Sequence, residues 1–432
     1  MSITTTSKSL GKMMNTNTTR VGALKGLRVW RCQHRHYSTT ISHFAPTSSD
    51  QPASLSYNGT PLPYRWLRDS CQCPSCIHPS TRQKLHKTSD IPADSLLASD
   101  GVRVANSGVE ITWASGHVSH YPKSFLELYS SPKRLRAFHQ EVAAKRWDRD
   151  ALRSVSNLFL PYASLQAPAG LLAAITQLTQ FGILFVTNVP TERTANEACE
   201  LRRLAERFGE IRETFYGQTW DVKNMRNSKN IAYTNVDLGL HMDLLYFQHP
   251  PRFQILHCLR NRVEGGASYF VDALHAAETL RETHPEDFSV LADTPVAFHY
   301  INDGHHLHYS HPTIELAATA DSAPGSPRPT AHINYSPPFQ APLPVSTPLA
   351  FYSALERFAN LLEDPALRYE HLLREGDAVV FDNRRVLHAR TAFKDREEDS
   401  GDAPNRWLKG CYLEADAVLD RGRVLRARLQ AH

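Results

Sequence analysis

From Met1 to Ser49 the chain has no aspartate and no glutamate. Basic residues recur over the same stretch, at Lys8, Lys12, Arg20, Lys25, Arg28, Arg31 and Arg35, among many serines and threonines. A basic, hydroxyl-rich leader without acids has the composition of a mitochondrial transit peptide. "RHYSTT" resembles a matrix-protease cleavage site, with Arg35 two places before Tyr37 and Ser38 opening the mature chain. Import into the mitochondrial matrix is therefore expected, and residues 1–43 are set aside as transit peptide and linker. No apolar run approaches the roughly 18 residues that span a bilayer, which excludes a transmembrane helix. No basic stripe interleaved with aromatics is present, and the net charge is only +4, which argues against a nucleic-acid binder. The seven cysteines are odd in number and three of them are clustered, which argues against a disulfide framework.

What remains is the composition of a globular protein with a core, 41% hydrophobic and 21% charged. A length of 432 residues suggests about two to three domains. Residues 44–60 are Ser/Pro-rich and read as a linker opening a small unit, 44–135. Within it, "GVRVANSGVEITWASGHVSHYP" alternates around Asn106–Gly108 and Ser115–Gly116, the pattern of a small antiparallel sheet. "PKSFLELYSSPKRLRAFHQEVAAKRW" reads as helical. In the larger unit, 136–432, "GLLAAITQLTQFGILFVTNVP" predicts a helix, a break at Gly182 and a buried strand from Ile183 to Val186. "TANEACELRRLAERFGEI" predicts a capped amphipathic helix ended by Gly209. Beyond it, short strand-like runs alternate with Gly, Pro and Asn turns: "FQILHCL", "ASYFVDAL", "AHINYS", "DAVVFDN" and "KGCYLE". Such spacing suggests a sandwich or barrel. The stretch 318–329 reads as a surface insertion.

Two constellations carry chemistry. Cys71, Cys73 and Cys76 place three soft sulfur ligands within six residues. Zinc takes four tetrahedral thiolate or imidazole ligands, so one more must come from elsewhere. The candidates are His78, His86, His117 and His120. A fourth ligand from a distant strand would staple the small domain, a structural role. The second constellation is His241 and Asp243 with a later histidine, His388. Non-haem iron(II) oxygenases hold the metal with two histidines and one carboxylate and leave the remaining positions open. An acid two places after a histidine also occurs at His139/Glu141 and His284/Glu286, so that spacing is weak alone. On a strand, however, both side chains point the same way. "GDAVVFDNRRVLHAR" adds a turn, a buried strand and His388. An anionic co-substrate would need a cation for its far carboxylate, and Arg390 and Arg406 follow. Tyr216, Trp220 and Tyr233 precede the metal motif and could present aromatic faces to a quaternary ammonium, at roughly 0.5–2 kcal/mol per face.

Together, "LPYRWLRDSCQCPSC", "ITWASGH", "RETFYGQTW", "NIAYTN", "HMDLLYFQHPPRFQILHC", "FDNRRVLHAR" and the Arg-x-x-x-Gly-x-Tyr ending at Tyr412 resemble the γ-butyrobetaine and trimethyllysine dioxygenase family, within the taurine-dioxygenase-like Fe(II)/2-oxoglutarate oxygenases. The resemblance spans nearly the whole chain after the leader. It implies a mainly β fold with flanking helices: a double-stranded β-helix (jelly roll) oxygenase core behind a small N-terminal zinc-binding β domain. It implies zinc on Cys71, Cys73, Cys76 and His117, and iron on His241, Asp243 and His388. It sets 2-oxoglutarate on Arg406, with Leu256 beside it. The substrate's trimethylammonium falls to Tyr216, Trp220 and Tyr233, with Asn230 and Tyr412 as further substrate contacts. L-ascorbate is the expected reductant. The expected partner is a small quaternary-ammonium substrate, without nucleic acid or membrane, and a homodimer is compatible with it. Met242 replaces the usual threonine, Arg384 stands where an aromatic is common, and Ala389 where glycine is usual. The complete cysteine triad and Asn230 favour γ-butyrobetaine, with L-carnitine as product. "DLLYFQHPPRFQILHC" and "KGCYLE" look as much like the trimethyllysine branch. Another small-molecule substrate, or a zinc-stabilised binding protein without catalysis, are the remaining readings.

Overall fold

The computed structural model describes residues 41–44, 53–93, 95–139, 142–223, 234–318, 327–395 and 404–430, with only the backbone of 41–44. The described chain forms two units, 1–135 and 136–432.

In the first unit, strands Ile41–Phe44, Ser54–Tyr57 and Thr60–Pro63 make one antiparallel sheet. Asn58 and Gly59 both have positive φ (49° and 83°), as a two-residue hairpin loop with right-handed strand twist requires. Part of the stretch read as linker is therefore strand. A second sheet joins Leu97–Ala105, Gly108–Trp113 and Val118–Pro122. Val118–Pro122 alternates exposed and buried residues, so one face of this sheet packs and the other is wet. Leu55, Tyr57, Leu67, Val109, Ile111, Trp113, Tyr121 and Leu126 form the core. The stretch expected to be one helical connection is two short helices, Lys123–Tyr129 and Pro132–Phe138. Pro132 lacks the N–H a continuous helix needs, and the Ser131 hydroxyl accepts instead from the Arg134 N–H. Residues 142–148 are not helical.

The second unit is a double-stranded β-helix. Its larger sheet runs, in spatial order, Trp220–Lys223, Arg406–Leu413, Phe253–Asn261, Ala378–Asp382, Ile183–Thr187 and Phe159–Pro161, with Ile211–Arg212 also pairing Arg406–Leu413. The smaller runs Leu238–His241, Val386–Arg390, Ser268–Asp272 and Tyr369–His371. Helix Pro168–Phe181 ends at Gly182, which takes the left-handed conformation (φ 74°) that glycine adopts without strain. Leu171, Ile175 and Leu178 of that helix, with Leu201, Leu204 and Phe208 of helix Glu200–Phe208, bury alternate residues of the larger sheet: Leu184, Val186, Ile255, Val380 and Leu413. The second helix starts at Glu200, later than its sequence suggested, and its N-cap Cys199 makes no side-chain capping bond. The opposite face of the larger sheet offers Phe185, Val379 and Phe381 to Phe270 and Val386 of the smaller one, closing one end of the sandwich. Four helices that the strand-like reading passed over cover the remainder: Ala273–Thr283, Pro285–Asp293, Leu349–Leu362 and Ala415–Gln430. The insertion at 318–329 lies between two paired strands, Ile314–Leu316 and Thr330–Ile333, and residues 319–326 fall outside the described chain.

Candidate active site

Where the two sheets do not fill the space between them, a cavity remains. Its walls follow the two-residue period of a strand. Ser268 and Phe270, His388 and Arg390, Gln254 and Leu256, Trp220 and Val222, and Arg406, Leu408 and Tyr412 all face inward. His241 and His388 are register partners on antiparallel strands, so their imidazoles share a face, with ring centroids 4.1 Å apart. Asp243 follows in a turn where Leu244 takes φ 61°. One donor atom each from His241, Asp243 and His388 lies within 4.8 Å of the others. Asp243 Oδ1 sits 3.5 Å from His241 Nε2 and 4.0 Å from His388 Nε2.

The protonation states suit a metal. Nδ1 of His241 donates to the Gly239 carbonyl at 2.8 Å, which leaves its Nε2 lone pair free. Burial, with His241 beside it, pushes His388 down to about 3, so its imidazole is neutral. Burial alone would raise the Asp243 carboxyl. His241, His388 and the hydrogen bond from the Tyr412 hydroxyl outweigh it and hold Asp243 well below the usual carboxylate range. Two imidazoles that turn Nε2 toward one point and an ionised carboxylate fit a divalent iron with open positions.

Asn383 fixes the turn. Its side chain accepts from the Asp243 N–H at 2.8 Å and donates to the carbonyls of Asp243 (3.0 Å) and Pro251 (3.1 Å). Sequence reasoning passed over Asn383, which sits inside "FDNRR" and reads as a turn former. The Tyr335 carbonyl, likewise missed, accepts from the Met242 N–H at 2.9 Å, and Met242 itself points into the core. Arg384 is buried and pairs with Glu315 at 2.8 Å, which accounts for a charge where an aromatic was expected.

Both candidate arginines line the cavity, and they differ in employment. Arg390 donates to the carbonyls of Thr234 (2.8 Å) and Val236 (2.7 Å). Arg406 makes no ion pair among the described residues, and its buried Nε has no hydrogen-bond partner. Burial, then the like charge of Arg390, lowers Arg406 to about 10, so it remains a cation at neutral pH. A desolvated, unpaired guanidinium is costly unless an anion reaches it. Leu256 lies in the same cavity. So do Tyr216, Trp220 and Tyr412, with Trp220 6.2 Å from Tyr216 and stacked on Tyr412 at 4.3 Å. Tyr246 and Phe339, not foreseen, extend this wall, their rings 5.3 Å apart. Asn230 and Tyr233 lie outside the described residues.

In the first unit, Cys71, Cys73, Cys76 and His117 converge. His117 Nε2 stands 3.4, 3.8 and 3.6 Å from the three sulfurs in turn. His117 closes the turn between strands Gly108–Trp113 and Val118–Pro122, its carbonyl accepting from the Trp113 N–H at 2.9 Å. The other candidates go elsewhere: His78 pairs with Ser80, His86 with Asp69, and His120 is exposed. Burial and the neighbouring Cys71 push the Cys76 thiol up to about 11. Burial also acts to raise Cys73, but Ser75 and the two other sulfurs outweigh it and bring it to about 7. Three sulfurs this close cannot all ionise unaided, and a zinc ion removes the conflict. The four-donor set is compatible with zinc.

A jelly roll whose inner wall carries an open two-histidine, one-carboxylate group beside a buried cation defines a non-haem iron oxygenase. The chain belongs to the taurine catabolism dioxygenase TauD, TfdA family, whose model matches residues 155–412. A gamma-butyrobetaine hydroxylase-like N-terminal model matches residues 56–127. The chain is 54% identical to "Dioxygenase str8" of Strobilurus tenacellus, over 84% of this chain and 85% of that one. It is 33% identical to the gamma-butyrobetaine dioxygenase of Pseudomonas sp. (strain AK-1), over 85% and 91%. It is 30% identical to the mitochondrial trimethyllysine dioxygenase of Homo sapiens, over 84% and 82%. The protein is accordingly an Fe(II)- and 2-oxoglutarate-dependent dioxygenase of the γ-butyrobetaine and trimethyllysine type.

Proposed function

We propose that the enzyme hydroxylates a small trimethylammonium carboxylate, γ-butyrobetaine first, and that His241, Asp243 and His388 hold its iron. The observation that carries this reading is the unpaired, buried Arg406 in one cavity with that triad and the Trp220–Tyr412 stack. Iron and 2-oxoglutarate, when bound, supply the oxidation: dioxygen is consumed, 2-oxoglutarate leaves as succinate and CO2, and a C–H bond becomes C–OH. The chain supplies position and exclusion of water. Arg406 forks onto the distal carboxylate of 2-oxoglutarate by two parallel hydrogen bonds. Tyr216, Trp220 and Tyr412 hold the ammonium by their ring faces, fixing which carbon meets the oxidant. Leu238, Leu256, Phe270 and Leu408 keep the reacting centre dry.

Trimethyllysine is the second reading. Its free α-amino group calls for an acid, and among the described residues that line the cavity Asp243 is the sole carboxylate. This favours γ-butyrobetaine, with L-carnitine as product. L-Ascorbate keeps the iron ferrous, and the acid-free leader directs the chain to the mitochondrial matrix. The test uses the chain from Ser38 with Fe(II), ascorbate, 2-oxoglutarate and air, offered both substrates in competition and read by mass spectrometry. One added oxygen on γ-butyrobetaine alone is the expected result. Hydroxylated trimethyllysine alone moves the enzyme to that substrate, and succinate with neither product removes both.

A further inference from the structure

The iron carboxylate and the aromatic wall meet in one residue. The Tyr412 hydroxyl donates to Asp243 Oδ2 at 2.8 Å, while the other oxygen, Oδ1, is the one that faces both imidazoles. The two oxygens are thus given separate tasks. A carboxylate free of such a partner can turn about its last torsion and clasp a metal through both oxygens, occupying a position that the co-substrate or dioxygen needs.

The hydroxyl is itself held in place. Trp220 stacks on the Tyr412 ring at 4.3 Å and 30°. It can lie there because its register partner is Gly410, at which a Cβ would come within 2.5–2.7 Å of three indole atoms. Next to Trp220, Asp221 fastens the strand from below. Its Oδ1 accepts from Trp407 Nε1 at 2.7 Å and from the fully buried Lys409 Nζ at 2.8 Å, and that Nζ also donates to Asn196 at 2.6 Å.

We propose that Tyr412 is a positioning residue that reserves Asp243 Oδ2, so that Asp243 gives the iron a single oxygen and leaves the remaining positions open. The proposal rests on reading His241, Asp243 and His388 as the iron ligands. It adds to the Tyr412 ring, one face of the ammonium site, a separate task for the hydroxyl.

The test is Tyr412→Phe, which deletes one oxygen atom and keeps the ring. Fe(II) affinity is titrated anaerobically, and the visible charge-transfer band is recorded after 2-oxoglutarate is added. Loss of a hydrogen bond to a metal ligand is expected to weaken iron binding about 10- to 100-fold. The band should move, and succinate should form in excess over hydroxylated product. Trp220→Phe retains the hydroxyl and keeps an aromatic ring to stack on Tyr412, so it should bind iron as the wild type does. Equal affinity and an unmoved band in Tyr412→Phe would overturn the assignment and leave the iron site standing. Equal weakening in Trp220→Phe would overturn it too, by tracing the loss to a loosened wall. A wild-type protein that binds no Fe(II) would remove the iron-site reading and the proposal together.

Discussion

The two metal-binding groups of this chain are built in opposite ways. At Cys71, Cys73, Cys76 and His117, four donors surround one point and leave no vacancy. At His241, Asp243 and His388, three donors occupy one side and a cavity occupies the other. A closed soft set suits structural zinc, and an open set of nitrogen and oxygen suits iron that must admit other molecules. The means of assembly differ as well. Three of the zinc donors sit on one short loop, tied by Cys73 carbonyl bonds to the N–H groups of Cys76 and Ile77. Two of the iron donors are fixed by sheet register, and the third by the three hydrogen bonds of Asn383. The first site draws together sulfurs that cannot all ionise unaided; the second is set by strand register and a side-chain amide.

The largest expected effects break the comparison at each site in turn. His388→Ala should abolish turnover and iron retention while the thermal melt stays near that of the wild type. An active, iron-loaded variant would refute the triad. Cys76→Ser, or removal of zinc by a chelator, should instead unfold residues 53–135, because a structural zinc site contributes its binding energy to folding, about 10–16 kcal/mol in isolated zinc-finger peptides. Limited proteolysis should then cut first inside that range. Equal resistance with and without zinc would mean that the core around Leu55, Ile111 and Tyr121 holds the unit without the metal.

Arg406→Gln comes next. A charged hydrogen-bonded contact contributes about 1.5–3 kcal/mol, so KM for 2-oxoglutarate should rise roughly 10- to 100-fold with little change in KM for the organic substrate. Arg390→Gln sharpens the contrast, since Arg390 is already engaged with the 234–236 backbone. Its loss should affect stability more than 2-oxoglutarate. A larger 2-oxoglutarate defect in Arg390→Gln would exchange the two roles.

How much of each site the sequence reveals follows the same division. The cysteine cluster is local, and its spacing alone named zinc, whereas the histidine among four candidates was settled by a family resemblance. His241 and His388 were legible because strand period and a glycine turn place them; Asp243 was legible by its spacing alone, since the strand ends at His241 and Asp243 sits in the turn beyond it rather than on the strand. Asn383 and the Tyr412–Asp243 bond were not, since they join positions 140 and 169 residues apart and leave no mark on local pattern. Among the helices, Ala273–Thr283 was hidden because it starts directly after a buried strand, with Asp272 both ending the strand and capping the helix. Leu349–Leu362 did carry a readable signal: Phe351, Ala354, Phe358 and Leu362 fall three or four apart and are buried.

The smallest expected effect concerns acid. Burial pushes His257, in the oxygenase unit, down to about 4, and burial with the charge of Arg384 does the same to His332. In the unfolded chain a histidine titrates near 6.5. Between these values the unfolded state binds more protons than the folded one, so stability must fall as pH falls from about 6.5 to 4. Above 6.5 both states are neutral at these positions and the contribution is flat. The slope belongs to the fold and should persist in metal-free protein, unlike any acid release of iron. Urea unfolding of the metal-free enzyme at several pH values across this window measures it. His257→Gln cannot titrate, so its slope should be shallower by about one proton. An unchanged slope would mean that His257 becomes protonated without unfolding, and that the core beside it admits water more readily than the larger sheet suggests.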